Sequence, residues 1–239
     1  MEMLSERAQR ILLIGGTRGT GLLIARLLLQ RGYRVRAVAR DPVKGAAALG
    51  SDVEVVAGDV TKLATLPRAT QDADHVIFTA GVRTGLRREQ TILATEYRGV
   101  VNTLDAVRVT GFNGRFIYMT SIGVTRRSLT AVLLNLTKGN TLRWRARAED
   151  AIRRSGVNYT IVRAGILLDA PSGRRAIELH RQALPLEPKY RIARADAAET
   201  IVEALQRPDT MRRTLDVVWG KGANREPWDA LFARLKPGP

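Results

Sequence analysis

Three glycines near the start of the chain, Gly15, Gly19 and Gly21, lie between two apolar segments. Residues 11–14 form an apolar run typical of a buried strand, and residues 22–29 show the apolar spacing of a helix. Glycine at the end of a strand permits a positive φ, and a missing Cβ lets the backbone approach a pyrophosphate. Because the first N–H groups of a helix lack backbone partners, they are available to bind phosphate oxygens. The stretch therefore predicts a dinucleotide-binding turn with the spacing G-x-x-x-G-x-G.

An arginine stands where many dinucleotide sites have an acidic residue that binds the ribose 2′-hydroxyl. This residue is Arg40, at the end of the second predicted strand, and Arg18 lies inside the glycine turn. Two guanidinium groups near the adenosine ribose suit a 2′-phosphate, which favours NADP (NADPH) over NAD. Asp41 precedes Pro42 and is interpreted as a helix N-cap. The alternative for Arg40 is a solvated residue at the end of a strand.

Polar or small residues also follow three later predicted strands. Asp59 is placed to accept a hydrogen bond from an adenine amino group, and the alternative is an N-cap for a helix at Thr61. Small residues after Thr79 leave room for a ribose. Ser121 would lie beside a nicotinamide and donate to a substrate carbonyl, and the alternative is a cap or turn serine.

The composition of the chain excludes some classes of function and some kinds of binding site. The net charge is +16, and 33 of the 39 basic residues are arginine. The arginines occur in runs no longer than two and aromatic residues make up 5% of the chain, so nucleic-acid binding is not expected. The chain has no cysteine and two histidines far apart in sequence, which excludes disulfides and thiolate metal sites and predicts no bound metal.

The length and hydropathy suit one domain. With 239 residues, 45% of them hydrophobic, the chain can bury a sizeable core in a single domain over residues 1–239. No apolar run approaches a membrane span. The first ten residues lack the apolar region of a signal peptide, so we expect a cytoplasmic protein.

Strand and helix patterns alternate along the chain. Predicted strands cover residues 10–14, 33–39, 53–57, 74–79, 114–119, 158–163, 190–192 and 214–218. Predicted helices cover residues 20–30, 61–69, 89–110, 140–155, 195–206 and 226–235, with a helical stretch near 175–182. This pattern predicts an α/β fold with a doubly wound, mostly parallel sheet, in the Rossmann order 3-2-1-4-5-6 plus an extra C-terminal strand. The less regular residues 164–239 are expected to cap the substrate side of the sheet.

Seven motifs in order carry a family resemblance, IGGTRGTG, VARDP, GDV, FTAG, YMTSIGV, SGVNYTIVRAG and RIARADAAE. Over residues 10–205 the chain resembles the atypical short-chain dehydrogenase/reductases of the NmrA-like group, which includes biliverdin/flavin reductases and chloroplast NAD(P)-binding proteins. The resemblance implies cofactor contacts at Gly15, Thr17, Arg18, Gly19, Thr20, Gly21, Arg40, Asp59, Val60, Thr79, Ala80, Gly81 and Ser121. It also implies that Ala164, Gly165 and Ile166 lie beside the nicotinamide, and that Asp196 caps the following helix.

The chain departs from the family in its catalytic residues. Short-chain reductases use a serine with Tyr-x-x-x-Lys, in which the tyrosine protonates the carbonyl, and no such pair follows Ser121. The lysine position aligns with Arg147 and the tyrosine position with Arg143. Arg147 is a candidate cation for a ribose or phosphate, but an arginine cannot act as a general acid near neutral pH. The alternative for Arg147 is a solvated helix face paired with Glu149 and Asp150.

These features favour an NADPH-dependent oxidoreductase with Ser121 and Arg147 as candidate catalytic residues. A flavin, quinone or conjugated tetrapyrrole would fit, with its proton supplied by solvent or by Ser121. The expected partner is a small anionic or aromatic substrate, attracted by Arg174, Arg175 and Arg181. The alternative is a non-catalytic NADP-binding redox sensor or scaffold, and a nucleotide-sugar epimerase is less favoured because that chemistry uses the missing tyrosine.

Overall fold

The computed structural model describes residues 8–82 and 89–235. The strands are β1 (Arg10–Ile14), β2 (Arg34–Ala39), β3 (Val53–Ala57), β4 (His75–Phe78), β5 (Arg115–Ser121), β6 (Asn158–Ala164), β7 (Ile166–Leu168), β8 (Ile177–His180), β9 (Arg191–Ala193) and β10 (Arg213–Trp219). The helices are α1 (Gly19–Gln30), α2 (Pro42–Leu49), α3 (Pro67–Thr70), α4 (Glu89–Ile92), α5 (Gly99–Val109), α6 (Leu129–Thr137), α7 (Thr141–Arg154), α8 (Arg194–Leu205) and α9 (Trp228–Ala233). A π-helical segment, Leu93–Arg98, joins α4 to α5.

Eight strands form one sheet in the order β3-β2-β1-β4-β5-β6-β10-β8. Neighbouring strands run parallel except β10 and β8, which are antiparallel. A second, parallel pair is formed by β7 and β9. The order confirms the doubly wound Rossmann arrangement, with β10 as the extra C-terminal strand.

Apolar layers cover both faces of the sheet. On one face α1 and α8 pack against Ile11 and Leu13 of β1. On the other face α5 and α7 pack against Leu12 and Ile14. Successive side chains of a strand point to opposite faces, so a strand covered on both sides reads as an unbroken apolar run.

The structure differs from the predicted elements in several places, and β7 has no counterpart in the prediction. Residues 175–182, expected to be helical, contain β8, in which Ile177 is buried opposite Trp219 of β10. The helix expected at 61–69 is divided into a 3-10 turn and α3, because Pro67 starts a new helix. The helix α6 has no counterpart in the prediction.

A buried ion network attaches the cap to the sheet. Arg163 Nε donates to Glu149 Oε1 at 2.9 Å, and Arg163 Nη1 lies 3.7 Å from Asp216 Oδ1. Asp216 Oδ2 accepts the Leu184 N–H at 2.7 Å. Burial raises the pKa of Asp216 to about 6, although the Leu184 N–H and the Arg163 charge oppose that rise. The network fixes the segment around Leu184 to β10, beside the edge that carries the site.

Candidate active site

The strand register brings the predicted site residues to one edge of the sheet. Ile14, which ends β1, pairs with Val38 of β2 and with Phe78, which ends β4. Ser121, which ends β5, pairs with Ala164, which ends β6. The segments that follow these strands therefore lie side by side along the carboxyl edge, where doubly wound sheets bind ligands.

The glycine turn is tightly packed at Gly15 and Gly21 and is exposed at Gly19. A Cβ on Gly21 would lie 2.2 Å from the Gly15 carbonyl oxygen, and a Cβ on Gly15, whose φ is +89°, would lie 2.6 Å from Ala80 N. Gly19 has a φ of +53°, and no described atom lies within 4 Å of a Cβ built there. Arg18, the N-cap residue of α1, does not cap the helix with its side chain. This open turn, with the first N–H groups of α1 beside it, fits a dinucleotide pyrophosphate.

The two arginines predicted to recognise a 2′-phosphate are both exposed. Arg40 directly follows β2 and Arg18 directly precedes α1. Asp41 caps α2, since its Oδ1 accepts the Lys44 N–H at 3.1 Å and its Oδ2 lies 3.1 Å from Lys44 Nζ. The N-cap interpretation of Asp41 is confirmed, so its carboxylate is engaged with α2.

Asp59 and Thr79 make local hydrogen bonds. Asp59 Oδ1 accepts from the Thr61 N–H at 2.9 Å and from Thr61 Oγ1 at 2.8 Å. These bonds close a local turn and do not cap a helix, because the 3-10 turn begins at Leu63 with Lys62 as its N-cap residue. Thr79 Oγ1 donates to the Ile14 carbonyl at 3.1 Å and so ties the end of β4 to β1. Their cofactor contacts stay predictions. The other predicted contact residues lie in the segments along this edge, namely Thr17, Thr20, Val60, Ala80, Gly81, Ala164, Gly165 and Ile166.

A buried ion pair lies behind Ser121. Arg145 Nη1 donates to Ser121 Oγ at 3.2 Å, and Arg145 Nε donates to Glu96 Oε2 at 2.9 Å. Glu96 also accepts from Thr141 Oγ1 at 2.6 Å and from the Val82 N–H at 3.1 Å. The Glu96 side chain is 3% exposed and that of Arg145 is 26% exposed. Arg145 therefore connects a buried carboxylate to the open edge of the sheet.

The π-helical segment carries Glu96 into this position, and π-helical turns are frequent at functional sites. Burial opposes ionisation of Glu96, but the charge of Arg145 and the donors from Arg145, Thr141 and Val82 outweigh it and lower its pKa. A Cβ on Gly81 would lie 3.5 Å from Glu96 Oε1 and 3.7 Å from Arg145 Nη2. Glu96 thus holds Arg145 as a fixed cation between Ser121 and the end of β4.

The structure corrects the choice of arginine. Arg147 is exposed, and its guanidinium lies 4.9 Å from the centre of the Trp144 ring, whereas Arg145 reaches Ser121. Arg143, aligned with the tyrosine position, is also exposed. The residue four positions before Arg145 is Thr141, and both contact Glu96. Thr141 and Arg145 are therefore four residues apart on α7, which is the separation of the tyrosine and the lysine in Tyr-x-x-x-Lys.

Two further ionisable residues near the ion pair are absent from the predicted site. Burial raises the pKa of Tyr118, which is 2% exposed and packs edge-on against Phe78, so it belongs to the core. Burial and the charge of Arg145 lower the pKa of Lys138. Lys138 follows α6 and is partly exposed.

Asp196 has a different role from the predicted cap. It is buried in the first turn of α8, where its Oδ1 accepts the Gly173 N–H at 2.8 Å and its Oδ2 accepts from Trp219 Nε1 at 2.8 Å. The N-cap residue of α8 is Ala193. Asp196 therefore ties a cap loop to the end of β10.

Two of the three cap arginines lie at opposite ends of β10. Arg175 lies 5.0 Å from the centre of the Trp219 ring, at the carboxyl end of β10. Arg181 instead lines a cavity of about 430 Å³ beside Tyr159 and Thr214, at the amino ends of β6 and β10. Arg181 therefore lies away from the carboxyl edge, and the attraction of a substrate by the cap arginines stays a prediction.

A family comparison identifies the family of this chain. A family model described as NAD(P)H-binding matches residues 15–208, beginning at the first glycine of the turn. The chain belongs to this NAD(P)H-binding family. The predicted NAD(P)-binding Rossmann family is thereby confirmed, while the NmrA-like grouping and the preference for NADP stay predictions.

This NAD(P)H-binding protein has relatives in plants, and a bacterial reductase shares its fold. An uncharacterized chloroplastic protein of Arabidopsis thaliana is 33% identical over 96% of the chain and 84% of the relative. Sanguinarine reductase of Eschscholzia californica is 27% identical over 97% of each chain. The structure of ChuY, an anaerobilin reductase from Escherichia coli O157:H7, has a TM-score of 0.74 at 24% identity, over 92% of this chain and all of that one.

The relatives also correct the predicted location. The Arabidopsis relative is chloroplastic, as are a second Arabidopsis protein and the pea protein TIC 62. The expectation of a cytoplasmic NAD(P)H-binding protein is therefore wrong. In the described residues, no helix has the length and apolarity to cross a bilayer. The same part of the chain holds no group of three or more His, Cys, Asp or Glu side chains arranged for a metal ion.

Proposed function

We propose that the protein is an NADPH-dependent reductase of a conjugated small molecule. The observation that carries this proposal is the Arg145–Ser121 contact at 3.2 Å, at the same edge as the NAD(P)H-binding glycine turn. This pair presents a hydroxyl and a fixed cation to a substrate. Thr141 stands at the helical position that a catalytic tyrosine would use, so the pair suits substrates that need no tyrosine acid.

The residues of the carboxyl edge suit NADPH. When bound, NADPH supplies a hydride. The open turn at Gly19 and the N–H groups that begin α1 would hold the phosphates. Arg40 and Arg18 would hold the 2′-phosphate, because planar guanidinium groups bind phosphate through paired hydrogen bonds.

The charge of Arg145 limits the class of substrate. A guanidinium has a pKa above about 12, so it cannot deliver a proton near neutral pH, but it stabilises negative charge that develops on a substrate oxygen or nitrogen. A flavin, quinone or tetrapyrrole delocalises that charge. Such a substrate takes its proton from solvent or Ser121. A relative named sanguinarine reductase supports a reductase over an epimerase.

Oxidation of NADPH by the purified protein tests this function. We expect loss of the 340 nm absorbance with flavin, quinone or tetrapyrrole acceptors and very little with simple aldehydes, which need a general acid to protonate the developing alkoxide. Ser121→Ala lowers the rate about ten- to a hundredfold if Ser121 helps the proton transfer. Turnover of aldehydes at a rate equal to that of quinones would contradict the proposed substrate class.

Cofactor choice has its own test in Arg40→Ala. We expect this substitution to weaken NADPH binding about ten- to a hundredfold, because a hydrogen bond to a charged group contributes about 1.5–3 kcal/mol. NADH binding changes little, since NADH has no 2′-phosphate. Arg34→Ala, at the exposed amino end of the same strand, is the matched control in a fluorescence titration. Equal losses of NADPH and NADH affinity would contradict the 2′-phosphate assignment.

A second candidate function is a non-catalytic NADP-binding redox sensor. It is favoured by the engagement of Arg145 with Glu96 and by Thr141 at the tyrosine position. The sensor would bind NADPH tightly and turn over none of the acceptors above. The chloroplastic relatives support a plastid location for either function.

A further inference from the structure

The helix α6 exposes an apolar stripe. Leu129, Val132, Leu133 and Leu136 are 91%, 51%, 61% and 78% exposed. Their spacing of i, i+3, i+4 and i+7 puts them on one face of the helix. Of the eight large hydrophobic side chains that are exposed in the described residues, these four share one helix of nine residues. Single exposed hydrophobic residues are ordinary, but a contiguous stripe marks an interaction surface.

The opposite face of α6 holds the helix firmly. Ala131 and Leu134 pack in a small core with Leu142 and Leu186. At the start of the helix, Ser128 Oγ accepts the Ala131 N–H at 3.1 Å and donates to the Leu186 carbonyl at 2.7 Å. The exposure of the stripe is therefore a fixed property of the fold, since the helix cannot turn its leucines inward without losing these contacts.

All the charged residues that lie near the stripe in the sequence are basic. Residues 106–148 contain no Asp or Glu and eight Lys or Arg residues. Arg126 and Arg127 are exposed immediately before α6, and Arg143 is exposed near the start of α7. Lys138 follows the helix at its other end. An apolar helix face flanked by cations is the pattern of helices that lie in the surface of anionic membranes.

We propose that α6 docks the protein on an anionic membrane surface, with the four aliphatic side chains among the acyl chains and the flanking arginines at the headgroups. A second copy of the chain is the less suitable occupant. Each copy has a net charge of +16, and a symmetric contact across this face would oppose the flanking arginines of the two copies.

Flotation of the full chain with lipid vesicles tests the proposal without using activity. We expect binding to vesicles that contain phosphatidylglycerol and little binding to phosphatidylcholine alone. The double substitution Leu133→Gln and Leu136→Gln should weaken binding about tenfold or more, because two aliphatic side chains no longer enter the bilayer. The double substitution Arg126→Gln and Arg127→Gln should weaken it about fivefold for each charge removed.

The matched control is Val43→Gln with Val109→Gln, at two equally exposed positions on other helices. Far-UV circular dichroism and melting curves check that every variant is folded. Binding that is absent in the unmodified protein, or that falls equally in the control, would overturn the proposal. A dimer in sedimentation velocity that Leu133→Gln and Leu136→Gln dissociates would also overturn it, because the stripe would then bind a second copy.

Discussion

Replacing Gly21 with alanine is expected to weaken NADPH binding at least tenfold and to lower the free energy of unfolding by about 1–3 kcal/mol. The new Cβ would lie 2.2 Å from the Gly15 carbonyl oxygen and 2.7 Å from Thr79 Oγ1. The backbone around Gly15 is also crowded, because a Cβ built on Gly15 would lie 2.6 Å from Ala80 N. The start of α1 must therefore move away from β1 and β4, and its N–H groups move with it. Each lost hydrogen bond to a phosphate costs about 1.5–3 kcal/mol of binding.

Gly111→Ala is the control for this substitution. Gly111 has a φ of +69° and no described atom within 4 Å of a built Cβ, and it follows α5, away from the carboxyl edge. It should lose about 1–2 kcal/mol of stability from backbone strain alone and bind NADPH normally. Urea unfolding and NADPH fluorescence titration measure the two quantities separately. Normal NADPH affinity in Gly21→Ala would remove the glycine turn from the cofactor site.

The strand order of the sheet was predictable because the apolar pattern of each segment and the rules for connecting parallel strands lead to the same arrangement. Each parallel strand is buried on both faces, so residues such as 11–14 read as an apolar run, and a helical pattern follows most of them. Right-handed crossovers then fix the neighbours of each strand. The glycine turn was predictable for the same reason. Gly15 lies against the segment that follows β4, and Gly21 lies against Gly15. The predicted strand order already places β1 beside β4.

The arginine that contacts Ser121 is Arg145, whereas the sequence predicted Arg147, two residues further along the helix. Arg145 and Arg147 have the same chemistry, and they point about 200° apart around a helix of 3.6 residues per turn. The buried face of α7 includes Thr141, Ala148 and Ile152, and helical spacing from these positions selects Arg145. That signal was present in the sequence, but it required knowing which apolar positions of the helix face the sheet.

Glu96 and β8 were not recognisable from local sequence. Glu96 lies in a helical run, where an acidic residue normally points to solvent, and only the π-helical segment and the distant Arg145 explain its burial. Residues 177–180 form a strand because β10 offers an edge to pair with. Such tertiary pairing overrides a weak local pattern.

Arg145→Met is expected to have the largest effect in the site. Turnover should fall about a hundredfold, because a charge donor aimed at the reacting group is lost. Stability should fall by about 3–5 kcal/mol, because Glu96 remains buried without its partner. Arg154→Met, at an exposed position of the same helix, should change neither quantity. Arg147→Met should lower turnover far less than Arg145→Met does.

The double variant Glu96→Gln with Arg145→Met separates structure from chemistry. Neutralising Glu96 removes the unpaired buried charge, so most of the lost stability should return. Turnover should stay low, because the cation at Ser121 is still missing. Recovery of both stability and turnover would show that Arg145 only maintains the fold.

The pH dependence of stability gives an independent test of the same pair. Arg145 helps to hold the pKa of Glu96 below its ordinary value, so in the unmodified protein Glu96 contributes stability that is lost as the pH falls through that lowered pKa. In Arg145→Met the charge of the guanidinium no longer opposes the effect of burial, and the pKa of Glu96 should rise above its unfolded value. The contribution of Glu96 then changes sign, and the variant regains stability as the pH falls through the raised pKa. Urea unfolding of both proteins across the acidic range measures this difference, and parallel pH profiles would show that Glu96 does not depend on Arg145 for its charge.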